Sequence, residues 1–450
     1  MQDFKHIQVV LNCRKLPSFD GDVDKFTEAH NLFRRGDIIT ATGRPWRTKS
    51  GEFSILASEQ ARLLSPCLHP LPTELNEANR LHNRVVDLSV NTEARDTLLA
   101  RSTIISSVRK FFEERDFIEV QTPILSSHTG GATAEPFLTE SRALSKKADD
   151  EQADTNASTT LSLRIAPELW LKRLVISGFD KVFEIGQCFR NEGIDASHNP
   201  EFTSCEFYQS YTSLEQLIEI TQKLLHTVVQ DVQKRHPYLK SQELLSTLAH
   251  QVNDNNKLRQ IDFISEIESQ TSKQLPVDLG NRTELLAYYD SIGLACPDSN
   301  TPLTASKLLD NLASVFLEPQ CNAPTFIVNH PHVMSPLAKS TTIDINGIPR
   351  KVSRRFELFI NGREYANAYE EENSPFVQRE NFSRQAYDNL TLKDSESPLP
   401  DDSYVSAMEW GLPPTGGWGM GIDRLCMLLT GADRISQVLT FGSVKSVNYQ

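Results

Sequence analysis

Within about twenty residues, Arg190, Glu192, His198, Phe202, Glu206 and Tyr208 follow one another along the chain. A guanidinium group grips phosphate oxygens two at a time, and a phenyl ring stacks on a base. A loop carrying such residues suits a nucleoside triphosphate. Its flanks indicate how it is held: residues 181–185 read as a buried strand, and Phe207-Tyr208 resumes strand character. The expectation is two strands joined by a charged loop. A salt-bridged hairpin without a ligand would carry the same pattern.

A second stretch, Gly416-Gly417-Trp418-Gly419-Met420-Gly421, leads through Ile422-Asp423-Arg424 into an apolar run at 425–429. Glycines let backbone approach a ligand closely. The pattern predicts a glycine-rich turn, then a helix with Arg424 near its positive end. Elements that would position both stretches are also readable. Residues 98–115 have helical periodicity, with Leu98, Ile105, Val108, Phe111 and Phe112 along one side, and Phe117-Ile118-Glu119-Val120-Gln121-Thr122-Pro123 follows. Core strands are predicted at 325–328, 355–360 and 364–369, the last two joined by the hairpin signal Asn361-Gly362.

With 450 residues the chain has room for two or three domains. It is 39% hydrophobic and 23% charged, an ordinary globular balance, and no apolar run reaches membrane-spanning length. A net charge of −13 excludes a basic coat for nucleic acid over the whole surface. Residues 1–64 nevertheless hold ten Lys/Arg against eight Asp/Glu, a mildly basic module on an acidic body. Seven scattered cysteines, an odd number without metal-type spacing, point to reduced thiols in an intracellular compartment and no structural zinc.

Residues 1–65 show short strand runs around a helical patch at 23–34, the pattern of a small OB-type barrel or another small β module. A proline-interrupted linker is expected at 66–90, with the remaining domain at 91–450. Within that domain, 141–160 reads as a disordered insertion, 214–248 as helical, and about 230–320 as a variable helical insertion. The first residues read as neither a signal peptide nor a transit peptide.

The two ligand-suited stretches resemble motifs 2 and 3 of the class II aminoacyl-tRNA synthetases, and the helix and strand at 98–123 resemble motif 1, in the family's order. Arg164-Ile165-Ala166-Pro167-Glu168-Leu169-Trp170-Leu171-Lys172-Arg173, Asn199-Pro200-Glu201-Phe202-Thr203, Ser335-Pro336-Leu337-Ala338 and Leu412-Pro413-Pro414-Thr415 resemble the lysine-specific branch. The resemblance implies an α+β fold, with an antiparallel sheet core flanked by helices and an incomplete N-terminal OB-fold β-barrel. It also implies lysine activation with ATP and Mg²⁺, followed by transfer to tRNA(Lys). A homodimer formed through motif 1 is expected, with no membrane association. The compartment implied is mitochondrial, of the fungal type, with a cytoplasmic location as the alternative.

Residue by residue, the resemblance implies that Arg190 binds the α-phosphate and that His198 and Arg424 contact the ATP tail or adenine. Glu192 would meet the adenine amino group or align Arg190, and Phe202 would stack on the ring. Glu357 and Glu364 would hold Mg²⁺, whose preference is for oxygen ligands. They stand seven residues apart, which on one straight strand means opposite faces, and the Asn361-Gly362 hairpin is expected to fold them together. Glu371 would meet the ε-ammonium beside Glu206, Tyr208 and Tyr369. Glu168 and Asn367 would hold the α-amino and carboxylate end, with Gly131 at the pocket edge. Gln8 and Glu52 match anticodon-reading positions.

A lysine ammonium needs carboxylate partners once desolvated, which these glutamates supply. The alternative enzyme is an aspartyl- or asparaginyl-tRNA synthetase, but an aspartate pocket would need cations at 206 and 371, and a silent tRNA-binding paralogue would not need Arg190, Glu357, Glu364 and Arg424. Glu370-Glu371-Glu372 would also suit a solvated acidic face. The substrate carboxylate is itself the nucleophile, so no Ser–His or Cys–His pair is expected. The chain departs from the family at Ser197, often arginine, at Glu135, usually basic, and at Gly442, usually proline. Its opening strands are missing relative to family OB domains, so a truncated N-terminus is expected.

Overall fold

The computed structural model describes residues 6–127, 130–132, 134–141, 160–191, 193–253, 256–297, 303–392 and 400–443. Glu192 and residues 142–159, most of the expected insertion, lie outside them. The chain divides into two compact units, Met1–Thr92 and Glu93–Gln450.

In the first unit, β1 (Gln8–Val10) is followed by α1 (Val23–His30), β2 (Ile38–Thr40), β3 (Gly43–Arg47), β4 (Phe53–Ala57) and β5 (Arg62–Ser65). Asp22 caps α1 by accepting a hydrogen bond from the Lys25 amide. β4 pairs parallel with β1 and antiparallel with β3, while β2 pairs with β5. Among the described residues these remain two open sheets over a small core of Leu16, Phe19 and Ala57, and no barrel closes. The expected linker contains two short helices, Glu77–Arg80 and Arg84–Val90. The second is pinned by a buried Arg84–Asp87 ion pair at 2.5 Å and is capped by Asn83, whose side chain accepts from the Val86 amide.

The second unit begins with α2 (Thr92–Glu113) and β6 (Ile118–Glu119), then α3 (Glu168–Ile176), β7 (Lys181–Phe189), β8 (Glu201–Ser210) and α4 (Leu214–Arg235). There follow β9 (Arg259–Asp262), β10 (Thr325–Val328), β11 (Arg355–Ile360), β12 (Arg363–Glu370), α5 (Asp402–Met408), β13 (Thr415–Gly421) and α6 (Ile422–Thr430). The β strands form one sheet in the order β9-β10-β11-β12-β13-β8-β7-β6. Only the outer pairs, β9 with β10 and β6 with β7, are parallel. The helical stretch at 214–248 is two helices, Leu214–Arg235 and Gln242–Gln251, interrupted where Pro237 removes a donor. Helices Phe263–Thr271, Arg282–Ile292 and Ala305–Phe316 share a separate core.

The glycine-rich stretch is not a turn. It is β13, a strand paired on both sides by β8 and β12. Register then sorts side chains by face, because successive residues of a strand point opposite ways. One rank across the sheet, Phe183, Phe207, Trp418, Ala368 and Phe356, packs into the core. Phe207 stacks on Trp418 with centroids 5.2 Å apart, and Phe112 of α2 lies 5.1 Å from Phe207. Burying each such ring contributes about 1.5–3 kcal/mol, so this face fixes the sheet on its helices. The buried stripe of α2 is Ala100, Ile104, Val108, Phe111 and Phe112. Leu98 and Ile105, expected on that face, are only half-buried, because small residues such as Ala100 and Ser107 face inward.

The next ranks face the other way. They are Glu184, Glu206, Gly419, Asn367 and Glu357, and then Val182, Tyr208, Gly417, Tyr369 and Arg355.

Candidate active site

The polar ranks form the floor of a cavity of about 430 Å³. Gly131, Glu168, Arg190, His198, Phe202, Glu206, Tyr208, Glu364, Asn367, Tyr369 and Arg424 line it. Glu357 and Glu371, expected with them, sit behind its wall. Gln8 and Glu52 belong to the first unit, where both are exposed and the Gln8 side chain accepts a hydrogen bond from Ser54 at 2.7 Å.

At one end, the loop between β7 and β8 closes where the Arg190 amide donates to Pro200 O at 2.8 Å. The guanidinium lies 5.1 Å from the Phe202 ring centroid, and its buried Nε has no hydrogen-bond partner among the described residues. Asp195 shapes the loop tip by accepting from the amides of Ser197 and His198 at 2.6 and 2.8 Å. Its other oxygen takes the His198 Nδ1 proton at 2.8 Å, and Arg424 Nη2 donates to His198 Nε2 at 2.7 Å. Slight burial opposes ionisation of Asp195, but these donors outweigh it and hold its carboxyl well below the usual range. Behind the loop, Asp423 accepts from Arg101 of α2 at 2.5 Å and from the Thr203 amide at 2.7 Å. This one carboxylate ties the helix of the first motif to the strand of the second and the helix of the third.

The other end is acidic. Tyr208 donates to Glu206 at 3.2 Å and Tyr369 to Glu168 at 2.7 Å. Glu371 and Glu372 are 1% and 6% exposed, so the solvated-face reading is wrong. Glu371 does not line the cavity directly, because its Oε2 is engaged by Lys172 Nζ at 2.5 Å. Lys172 also reaches Glu168 at 2.6 Å and is 0% exposed. The residue pattern contained this signal, since Lys172 stands one helical turn beyond Glu168. Burial works against the Lys172 charge, but the two carboxylates hold it and raise its pKa well above normal. Burial and neighbouring Glu168 push Glu371 up, against the pull of Lys172.

Burial, reinforced by the charge of Glu168, pushes Glu206 up to about 8. A carboxyl raised this far holds its proton near neutral pH, and pairing with an ammonium requires that the proton leave to solvent. Affinity for a cationic substrate should rise with pH up to about 8 and level off above it. A kcat/KM profile from pH 6 to 9 for such a substrate checks this, and a flat profile would contradict it.

Gly417 explains the glycines of β13. A Cβ there would lie 1.9 Å from Glu371 Oε1 and 2.5 Å from the Tyr208 ring. Gly417→Ala should destabilise the protein by about 1–3 kcal/mol through overpacking, read as a lowered Tm; an unchanged Tm would contradict the packing.

The hairpin at Asn361-Gly362 forms, with positive φ at both residues. Folding back alone would leave Glu364 on the core face, three residues from Asn367. A β-bulge between Leu358 and Phe359 restores it to the cavity side, opposite Phe359. His330 sits 3.1 Å from Glu357, and Arg355 pairs with the other oxygen of Glu357. Burial opposes the Glu357 charge, but the Arg355 guanidinium and the His330 hydrogen bond outweigh it and hold the pKa at about 2. Burial and the charge of Glu357 push Glu364 up to about 7. Among the described residues no three His, Cys, Asp or Glu side chains form a metal cage. The Glu357 and Glu364 carboxylates are hard oxygen donors of the kind that magnesium prefers.

Comparison with known proteins agrees with this geometry. Residues 76–445 match the family of tRNA synthetases class II (D, K and N). The chain is 43% identical to the mitochondrial lysine–tRNA ligase of Schizosaccharomyces pombe, over 98% of this chain and 80% of that one. It is 39% identical to the mitochondrial lysine–tRNA ligase of Saccharomyces cerevisiae, over 99% and 77%, and 39% identical to the lysine–tRNA ligase of Helicobacter pylori, over 94% and 79%. With three motifs around one cavity and a match across most of its length, the chain belongs to the class II tRNA synthetases of the D, K and N group.

Proposed function

We propose that this protein is a lysine–tRNA ligase, using ATP and magnesium to make lysyl-adenylate and then charging tRNA(Lys). The observation that carries the reading is a single cavity with Arg190 and Arg424 at one end, Glu168 and Glu206 lining the other, and buried Glu371 directly behind that wall. An aspartate pocket would put a cation against the substrate side chain, and the acidic wall opposes that.

The substrate's carboxylate oxygen attacks the α-phosphorus of ATP in line, and pyrophosphate leaves with the electron pair of the broken P–O bond. A hydroxyl of the terminal tRNA adenosine then attacks the carbonyl carbon, and AMP leaves. Arg190 holds the α-phosphate through both transfers, while Phe202 and Arg424 position the nucleotide. Catalysis rests on orientation and charge stabilisation. Glu357 and Glu364 would hold magnesium, which neutralises phosphate charge when bound. Glu206 gives up its proton as the ε-ammonium arrives, and Glu168 and Asn367 orient the α-end.

Gln8 on β1 and Glu52, just before β4, are both exposed and would be the residues that read tRNA bases. A homodimer built on α2 and β6, and a mitochondrial compartment, complete the proposal; the two fungal relatives are named mitochondrial. No described helix is long and apolar enough to cross a membrane. Incubating the protein with total fungal mitochondrial tRNA, ATP and labelled amino acids tests the reading. Acid-stable label from lysine is expected, and label from aspartate or asparagine instead would overturn it.

A further inference from the structure

We propose that Lys172 is a specificity-determining positioning residue. Its ammonium holds one oxygen of Glu371 and one of Glu168, leaving the opposite oxygen of Glu371 turned toward the substrate's own ammonium. This inference rests on the lysine reading above.

The geometry is specific. Lys172 Nζ takes Glu371 Oε2 at 2.5 Å, while Glu371 Oε1 is buried with no hydrogen-bond partner among the described residues. That free oxygen lies against Gly417 and Tyr208, both of which line the cavity. With Oε2 committed, the carboxylate cannot rotate, so the direction of Oε1 is set before substrate arrives. On the Glu168 side, Lys172 and the Tyr369 hydroxyl both take Oε1, at 2.6 and 2.7 Å.

Charge gives the second reason. Three carboxylates, Glu168, Glu206 and Glu371, share this wall, and without a cation they would take up protons and lose their direction. One internal ammonium leaves the ionised wall two charges in excess, which the α- and ε-ammonium groups of free lysine match. A neutral side chain leaves one uncompensated. The groups around Lys172 come from every packed element: Glu168 from its own helix α3, Tyr369 and Glu371 from β12 and the residue after it, and Tyr404 from α5, with its ring centroid 5.5 Å from Nζ. Glu206 and Tyr208 of β8 face the same carboxylates.

The test compares the parent chain with Lys172→Met and Lys172→Arg in lysine-dependent ATP–pyrophosphate exchange. Lys172→Met should raise the lysine KM about 100-fold with the ATP KM within about threefold. It should also move the acid limb of lysine kcat/KM up by about one pH unit, because the carboxylates then ionise without their cation. Lys172→Arg keeps the charge but displaces Glu371, so the lysine KM should rise about tenfold at an unchanged acid limb. If Lys172→Met does not fold, the arginine variant decides alone. Lysine KM within threefold of the parent, or equal rises in the lysine and ATP KM with the parental pH profile, would overturn the proposal. Absence of lysine-dependent exchange in the parent itself would overturn the functional reading and this inference together.

Discussion

Arg190→Ala is expected to lower lysine-dependent ATP–pyrophosphate exchange about a thousandfold while thermal unfolding stays close to the parent. The side chain contributes little to the fold. The Arg190 contact that closes the loop base runs through its backbone amide, which alanine retains. The guanidinium itself rests on Phe202, and its buried Nε has no acceptor among the described residues, which leaves that donor for a ligand. Losing one preorganised donor to a developing phosphate charge typically costs about 10²–10³ in rate, and a guanidinium supplies more than one. Exchange within tenfold of the parent would remove Arg190 from the reaction.

Glu371→Gln should act on the amino acid and leave the nucleotide alone. The substitution keeps the shape and removes one carboxylate charge from Lys172 and from the substrate. Breaking a buried charge pair costs about 3–5 kcal/mol, so lysine kcat/KM should fall by roughly 10²–10⁴. The ATP KM should stay near the parental value, because Glu371 lies outside the nucleotide end of the cavity. Equal losses for both substrates would mean that Glu371 supports the fold and not lysine selection.

Much of this site is legible in the sequence because it is built on strands. Glu206 and Tyr208, Asn367 and Tyr369, and Gly417 and Gly419 each stand two apart, the spacing that puts them on one face. Adjacent strands bring these pairs into common ranks. What stayed hidden depends on features that spacing does not carry. The glycines of β13 read as a turn, because nothing local reports that Glu371 and Tyr208 occupy the space a side chain at 417 would fill. Glu364 reaches the cavity through a bulge, and the hairpin signal alone was insufficient. Lys172 looks like one more helix lysine until Glu371, from a distant strand end, is seen to meet it. In the first unit, short strands predict a barrel, whereas β1 pairs parallel with β4 and the described sheets stay open.

The acidic pocket is tested most directly by pyrophosphate exchange measured side by side with lysine, norleucine and aspartate at equal concentration. Lysine alone should support exchange, because norleucine lacks the ammonium that Glu206 and Glu371 require and aspartate presents a like charge to them. Exchange with norleucine as fast as with lysine, or preference for aspartate, would contradict it.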